Sequence, residues 1–185
     1  CVVASGHISD RMEDQIRELR RVSETGVDAV VMISNRLAGK DEPDEVLIQN
    51  MHRILDAIPG VTFGMYECPY PYKRLLTPKV LEAMAETGRF TFIKDTCCDA
   101  DLIARRIALL HGRIQLFNAN CATFLETLKT GADGFSGIMA NYHPDLLRWL
   151  YTHYQSQPEK ARRLSAMLSV MSLVEGCGHP AAVKY

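Results

Sequence analysis

The stretch Val61-Thr62-Phe63-Gly64-Met65-Tyr66, followed after a helical interval by Phe90-Thr91-Phe92-Ile93-Lys94, decides how this chain is read. Both are short apolar runs rich in β-branched and aromatic residues, and each ends on a polar side chain. Successive side chains of a strand face opposite ways, so Val61, Phe63 and Met65 share one face and Thr62, Gly64 and Tyr66 the other. The same period groups Phe90, Phe92 and Lys94, with Ile93 turned away from them. Working outward, such runs alternate with amphipathic stretches as far as about Tyr154. Strands are expected at Val2 to Ala4, Asp28 to Ile33, Val61 to Tyr66, Phe90 to Lys94, Arg113 to Phe117 and Asp133 to Ile138. Helices are expected at about Asp10 to Glu24, Pro43 to Ala57, Pro78 to Glu86, Asp99 to His111, Ala122 to Thr130, Pro144 to Tyr154 and Pro158 to Val174.

The punctuation agrees with this pattern. Ser9 and Thr77 stand where N-caps belong, Pro78 sits at a first helical position, and Gly26, Gly88, Gly112 and Gly131 follow helix ends. Repeated βα units suit either a doubly wound sheet or a (β/α)8 TIM barrel. No GxGxxG follows the first strand, which weakens the dinucleotide-binding reading. The units at hand fall short of a closed barrel, so on the barrel reading the fold is incomplete and its first strand here is the third. The opening Cys1-Val2-Val3-Ala4, without a Met, reads as the middle of a strand and predicts a piece of a longer protein. With no linker or low-complexity segment, residues 1–185 read as a single partial barrel domain, ending in helices and a turn at Gly176-Cys177-Gly178-His179-Pro180.

Composition narrows the function. With 47% hydrophobic and 23% charged residues the chain can bury a sizeable core. A net charge of -1, with both signs scattered, gives no basic face for nucleic acid. No apolar run approaches the roughly 20 residues of a membrane span. The six cysteines, Cys1, Cys68, Cys97, Cys98, Cys121 and Cys177, lack CxxC or Cys/His spacing, which fits a reducing cytoplasm and predicts no metal. His7, His111, His143 and His179 fall in different units without ligand spacing, and Met167, Leu168, Val170, Met171 and Leu173 form a helix face suited to core or oligomer contact.

In α/β barrels the reacting groups sit at the C-terminal ends of strands. Tyr66 and Lys94 occupy such ends on strands adjacent in sequence, on the inward face. At an unperturbed pKa of about 10.4, freeing a lysine amine at neutral pH costs roughly 4–5 kcal/mol, and burial lowers that barrier. The amine is then a nucleophile toward a carbonyl, and a tyrosine hydroxyl across from it can move the protons. Asp95 alternates away from Lys94 and forms no ion-pair motif with it.

The segment Gly64-Met65-Tyr66-Glu67-Cys68-Pro69 resembles the Tyr-Asn-x-Pro motif of the dihydrodipicolinate synthase and N-acetylneuraminate lyase family, and Phe92-Ile93-Lys94-Asp95-Thr96 resembles its Schiff-base strand. Phe117-Asn118-Ala119-Asn120 and Gly134-Phe135-Ser136-Gly137-Ile138-Met139-Ala140-Asn141 follow the family in order. The resemblance implies a cytoplasmic, cofactor-free class I lyase or aldolase. Lys94 would form a Schiff base with a pyruvate-like 2-keto acid and Tyr66 would act as acid/base. Asn118 and Ser136 would contact substrate. The chemistry implied is C–C bond formation or cleavage with an aldehyde partner, or sugar-acid dehydration, in a homo-oligomer. The alternative is a catalytically incomplete or regulatory paralogue of the same fold, and the family's Thr-Thr hydroxyl loop lies upstream of these residues. Two departures argue against lysine biosynthesis. The arginine expected after the motif tyrosine is displaced to Tyr70-Pro71-Tyr72-Lys73-Arg74, and the loop expected to carry paired tyrosines reads Ser34-Asn35-Arg36-Leu37. Glu67 replaces the motif's usual Asn.

Overall fold

Ala29-Val30-Val31-Met32-Ile33 is apolar at every position, and it forms a strand buried along nearly its whole length, as expected where helices cover a parallel sheet. The computed structural model describes residues 1–176 and Ala181; the turn expected at 177–180, with Cys177 and His179, lies outside the described residues. The chain divides into two compact units, Cys1–Thr96 with Ala108–Gln115, and Cys97–Ile107 with Leu116–Tyr185.

In the first unit the order is β1 (Val3–Ala4), α1 (Met12–Ser23), β2 (Ala29–Ile33), α2 (Ser34–Leu37), α3 (Asp44–Ala57), β3 (Phe63–Tyr66), α4 (Pro78–Glu86) and β4 (Phe90–Asp95). Each strand pairs in parallel with the next, which the intervening helices make possible. Leu19 of α1, Leu47, Met51 and Ile54 of α3, and Val80, Leu81 and Met84 of α4 pack with Val30, Met32, Phe63, Met65 and Ile93. Each such side chain contributes about 1.5–3 kcal/mol when fully buried, so this outward face fixes which way the strands point. Register then sets Ile33 opposite Tyr66 and Tyr66 opposite Lys94, bringing three strand ends level.

Local departures from the sequence reading have identifiable causes. Thr77 caps α4 as expected, its side chain accepting from the Val80 N–H, but α1 starts later than Ser9 and has Arg11 at its cap position. Ser9 instead donates to Glu18 at 2.5 Å. Strict alternation groups Phe90 with Lys94, but Phe90 lies on the opposite face, in the core, with its ring 6.0 Å from that of Phe63. The pairing jumps from Phe63↔Phe90 to Gly64↔Phe92, so Thr91 is an extra residue, a β-bulge that resets the parity. His7, fully buried, joins the loop after β1 to the end of β2: it accepts from the Ile33 N–H at 2.7 Å through Nε2 and lies 2.8 Å from Gln15 Oε1 through Nδ1. Gln15 continues the chain to the Arg36 carbonyl at 3.0 Å.

Helix α5 (Ala100–Leu110) ends where His111 and Gly112 take positive φ. The second unit holds β5 (Gln115–Asn118), α6 (Cys121–Lys129), β6 (Gly134–Phe135), a 3-10 turn at Ile138–Asn141, α7 (Pro144–His153), α8 (Pro158–Met171) and a 3-10 turn at Ser172–Gly176. β5 and β6 are parallel, and Phe124, Leu125, Leu147, Leu150 and Leu168 form the core. β6 stops short of the expected Ile138 because its neighbour stops: the Ser136 N–H bonds to the carbonyl of Asn118, the last residue of β5, and no ladder partner follows.

Candidate active site

Tyr66 ends β3 and Lys94 stands opposite it on β4, with the lysine Nζ 4.3 Å from the centroid of the tyrosine ring. Both side chains are half-buried. Burial holds the Lys94 amine below its ordinary value, with the neighbouring Cys68 thiol opposing that effect. Burial also pushes the Tyr66 phenol up to about 12, and the neighbouring Cys68 adds to it. The pair is therefore poised with the amine easier to free and the phenol holding its proton at neutral pH. Beneath them Phe92 lies across from Gly64, whose lack of a side chain lets the ring approach the β3 backbone.

Glu67 is fully buried, and its carboxylate accepts from the N–H groups of Leu76 at 2.7 Å and Thr96 at 3.0 Å. The displaced basic residues divide their roles. Arg74 is buried and pairs with Asp44 at 3.2 Å while its guanidinium also donates to the carbonyls of Gly39 and Lys40. Lys73 instead donates to the Thr96 carbonyl at 2.7 Å, at the end of β4.

Ser34-Asn35-Arg36-Leu37, read from sequence as a loop, is the helical turn α2. The buried Asn35 amide nitrogen lies 2.8, 3.0 and 2.7 Å from the carbonyls of Cys68, Tyr70 and Tyr72, clamping the loop that follows Tyr66. The Tyr72 hydroxyl returns the contact, 2.8 Å from the Asn35 carbonyl. Sequence reasoning missed Asn35 and Cys68. Cys68 could have been found from its position two residues beyond Tyr66, whereas nothing local marks the Asn35 clamp. A polar cavity of about 400 Å3 borders this clamp, lined by Gln15, Asn35, Arg36, Arg53 and Tyr72 among others and by neither Tyr66 nor Lys94.

In the second unit Asn118 is fully buried. Its amide donates to the Thr123 and Thr127 hydroxyls, each at 3.0 Å, and its side-chain oxygen accepts the Asn120 N–H at 2.7 Å. Every polar group of that side chain is thus engaged in holding α6 and Asn120, which caps the helix. Ser136 is half-buried, with its N–H on the Asn118 carbonyl at 2.9 Å. Among the described residues no three His, Cys, Asp or Glu side chains gather as a metal site, and no helix is long and apolar enough to cross a membrane.

The model of the dihydrodipicolinate synthetase family matches residues 6–185. The chain belongs to that family. Similar members include the 4-hydroxy-tetrahydrodipicolinate synthase of Corynebacterium diphtheriae, 25% identical over 154 residues, or 82% of this chain and 50% of that protein. The enzyme of the same name from Clostridium perfringens is 24% identical over 146 residues, 77% of this chain and 48% of that protein. The chain thus spans about half the length of the curated relatives it matches. Among solved structures, the chloride-inhibited dihydrodipicolinate synthase of Acinetobacter baumannii, complexed with pyruvate, superposes with a TM-score of 0.82 at 20% identity, over 96% of this chain and 60% of that one. The dihydrodipicolinate synthase of Cyanidioschyzon merolae with lysine bound gives 0.84 at 16% identity, over 99% and 62%. These likenesses fix the fold as the expected incomplete (β/α)8 barrel.

Proposed function

We propose that the full-length protein carrying this chain is a class I aldolase-type lyase in which Lys94 forms a Schiff base with a pyruvate-like 2-keto acid. The observation that carries this reading is the lysine amine held over the Tyr66 ring at the C-terminal end of adjacent strands, with burial lowering its proton affinity. Attack of the free amine on the keto carbon gives a carbinolamine, and loss of water gives the imine. The protonated imine draws electrons from the adjacent carbon, so a C–C bond to an aldehyde can form or break there, or a sugar acid can lose water. Tyr66, which keeps its proton to about 12, acts first as the acid that helps the carbinolamine hydroxyl leave and then as the base that recovers a proton. On this reading Ser136 contacts substrate, and Asn118 acts through its hold on Asn120. The protein works in the cytoplasm without a cofactor and as a homo-oligomer. Borohydride reduction in the presence of pyruvate tests it: the full-length protein should gain a reduced adduct on the peptide containing Lys94, and Lys94→Arg should gain none, since a guanidinium stays protonated and cannot form the imine. An adduct that forms equally on Lys94→Arg, or activity abolished by a chelator instead, would replace this mechanism.

A further inference from the structure

Tyr66 and Lys94 are the last paired residues of β3 with β4, and strand ends beyond a ladder splay unless something else holds them. Glu67 is the first residue past that pair. Its main-chain N–H donates to the Lys94 carbonyl at 3.2 Å, and its carbonyl accepts the Thr96 hydroxyl at 2.7 Å. Its side chain binds the same segment again, through the Thr96 N–H, while the second carboxylate oxygen receives the N–H of Leu76, where the loop after Tyr66 returns toward α4. Glu67 therefore ties three segments together: the end of β3, the end of β4 and the far side of the intervening loop.

We infer that Glu67 is a positioning residue that locks the two strand ends together so that the Tyr66 ring stays over the Lys94 amine; this rests on the Schiff-base reading above. The chemistry of the side chain is specific to the task. A carboxylate offers acceptors on both oxygens, matching the backbone donors of Leu76 and Thr96. Glutamine has the same shape but only one acceptor, and its amide group would present hydrogens to a backbone N–H, donor against donor. One of the two ties is then broken. Aspartate keeps both carboxylate oxygens on an arm one methylene shorter.

The test uses the full-length protein, with borohydride trapping in the presence of pyruvate. It reads two quantities separately: the fraction of sites trapped at completion and the rate constant per trapped site. Glu67→Gln should lower the per-site rate constant about tenfold or more, as loss of alignment does, while half-saturating pyruvate changes by less than about threefold. Glu67→Asp should recover part of that loss. A merely structural role predicts another result, a lower trapped fraction and unfolding temperature at an unchanged per-site rate, and that result overturns the inference. Should Glu67→Gln fail to fold, a wild-type per-site rate in Glu67→Asp overturns it equally. Wild-type protein that traps no pyruvate on Lys94 overturns the Schiff-base reading and this inference with it. Wild-type trapping with an unchanged rate in both variants overturns the inference alone.

Discussion

Gly64→Ala isolates the packing beneath the Tyr66–Lys94 pair. A methyl group at Gly64 would stand 2.2 Å from Phe92 Cζ and 2.5 Å from both Cε atoms, far inside the roughly 3.5–4.0 Å of an ordinary carbon contact. Two effects oppose each other. Replacing glycine by alanine reduces the freedom of the unfolded chain and by itself stabilises by about 0.4–1 kcal/mol. Forcing a carbon into a packed face costs about 1–3 kcal/mol, and here it meets the whole leading edge of a ring rather than one flexible atom. The clash outweighs the entropy, leaving a net loss of about 1–2 kcal/mol, or at most about 2–8 °C in Tm, since a longer protein shifts less than the roughly 2–4 °C per kcal/mol of a domain this size. Thermal unfolding of the full-length protein measures it, together with the double variant Gly64→Ala/Phe92→Ala. If Phe92 is the obstacle, the two substitutions couple by about 1 kcal/mol or more, because the methyl group is harmless once the ring is gone. An unchanged or raised Tm in Gly64→Ala, or additive effects in the double variant, would refute the packing argument.

Three further outcomes follow from the same geometry. Tyr66→Phe keeps the ring over Lys94 and removes the proton shuttle, so it should still trap imine while losing roughly 10²–10⁴ in turnover; turnover equal to wild type would exclude Tyr66 as the acid/base. The rate of imine formation should climb with pH to an inflection below the ordinary lysine value of 10.5, level off, and fall as the Tyr66 phenol ionises near 12; an inflection at or above 10.5 would mean that Lys94 is not desolvated. His7 is held neutral by burial, its pKa below 6.5, so the unfolded chain takes up its proton at a higher pH than the folded one. The stability it contributes is complete above 6.5 and is lost as pH falls through 6.5 toward the lowered folded value. Urea unfolding followed across that window should show a slope that His7→Gln removes, and identical slopes in the two proteins would assign the acid sensitivity elsewhere.

Much of the fold was legible because it depends on patterns short enough to fit inside one element. The apolar run of β2, the alternation that turns Phe63 and Met65 toward the helices, and the Thr77-Pro78 start of α4 are each set by local sterics and by which face must leave water. That local logic also carried Lys94 and Tyr66 to one face, and four motifs in order carried the family. Parity failed at Thr91, because a bulge depends on how two strands fit each other and leaves no mark in either strand alone. The second layer of the site escaped the sequence for the same reason. Glu67 finds Thr96 across 29 positions and Asn35 finds Tyr72 across 37, and in the sequence each is one more polar residue near a strand end. Asn118 closes β5 one residue past the strand end expected at Phe117, and only folding shows its amide turned onto Thr123 and Thr127. Local pattern was enough for the alternation of strands with the longer helices, for the helix-facing side of β3 and for setting Lys94 and Tyr66 on one face. The tertiary structure alone decided which polar groups hold that pair in place, since a buried donor or acceptor must find its partner in space, wherever along the chain that partner lies.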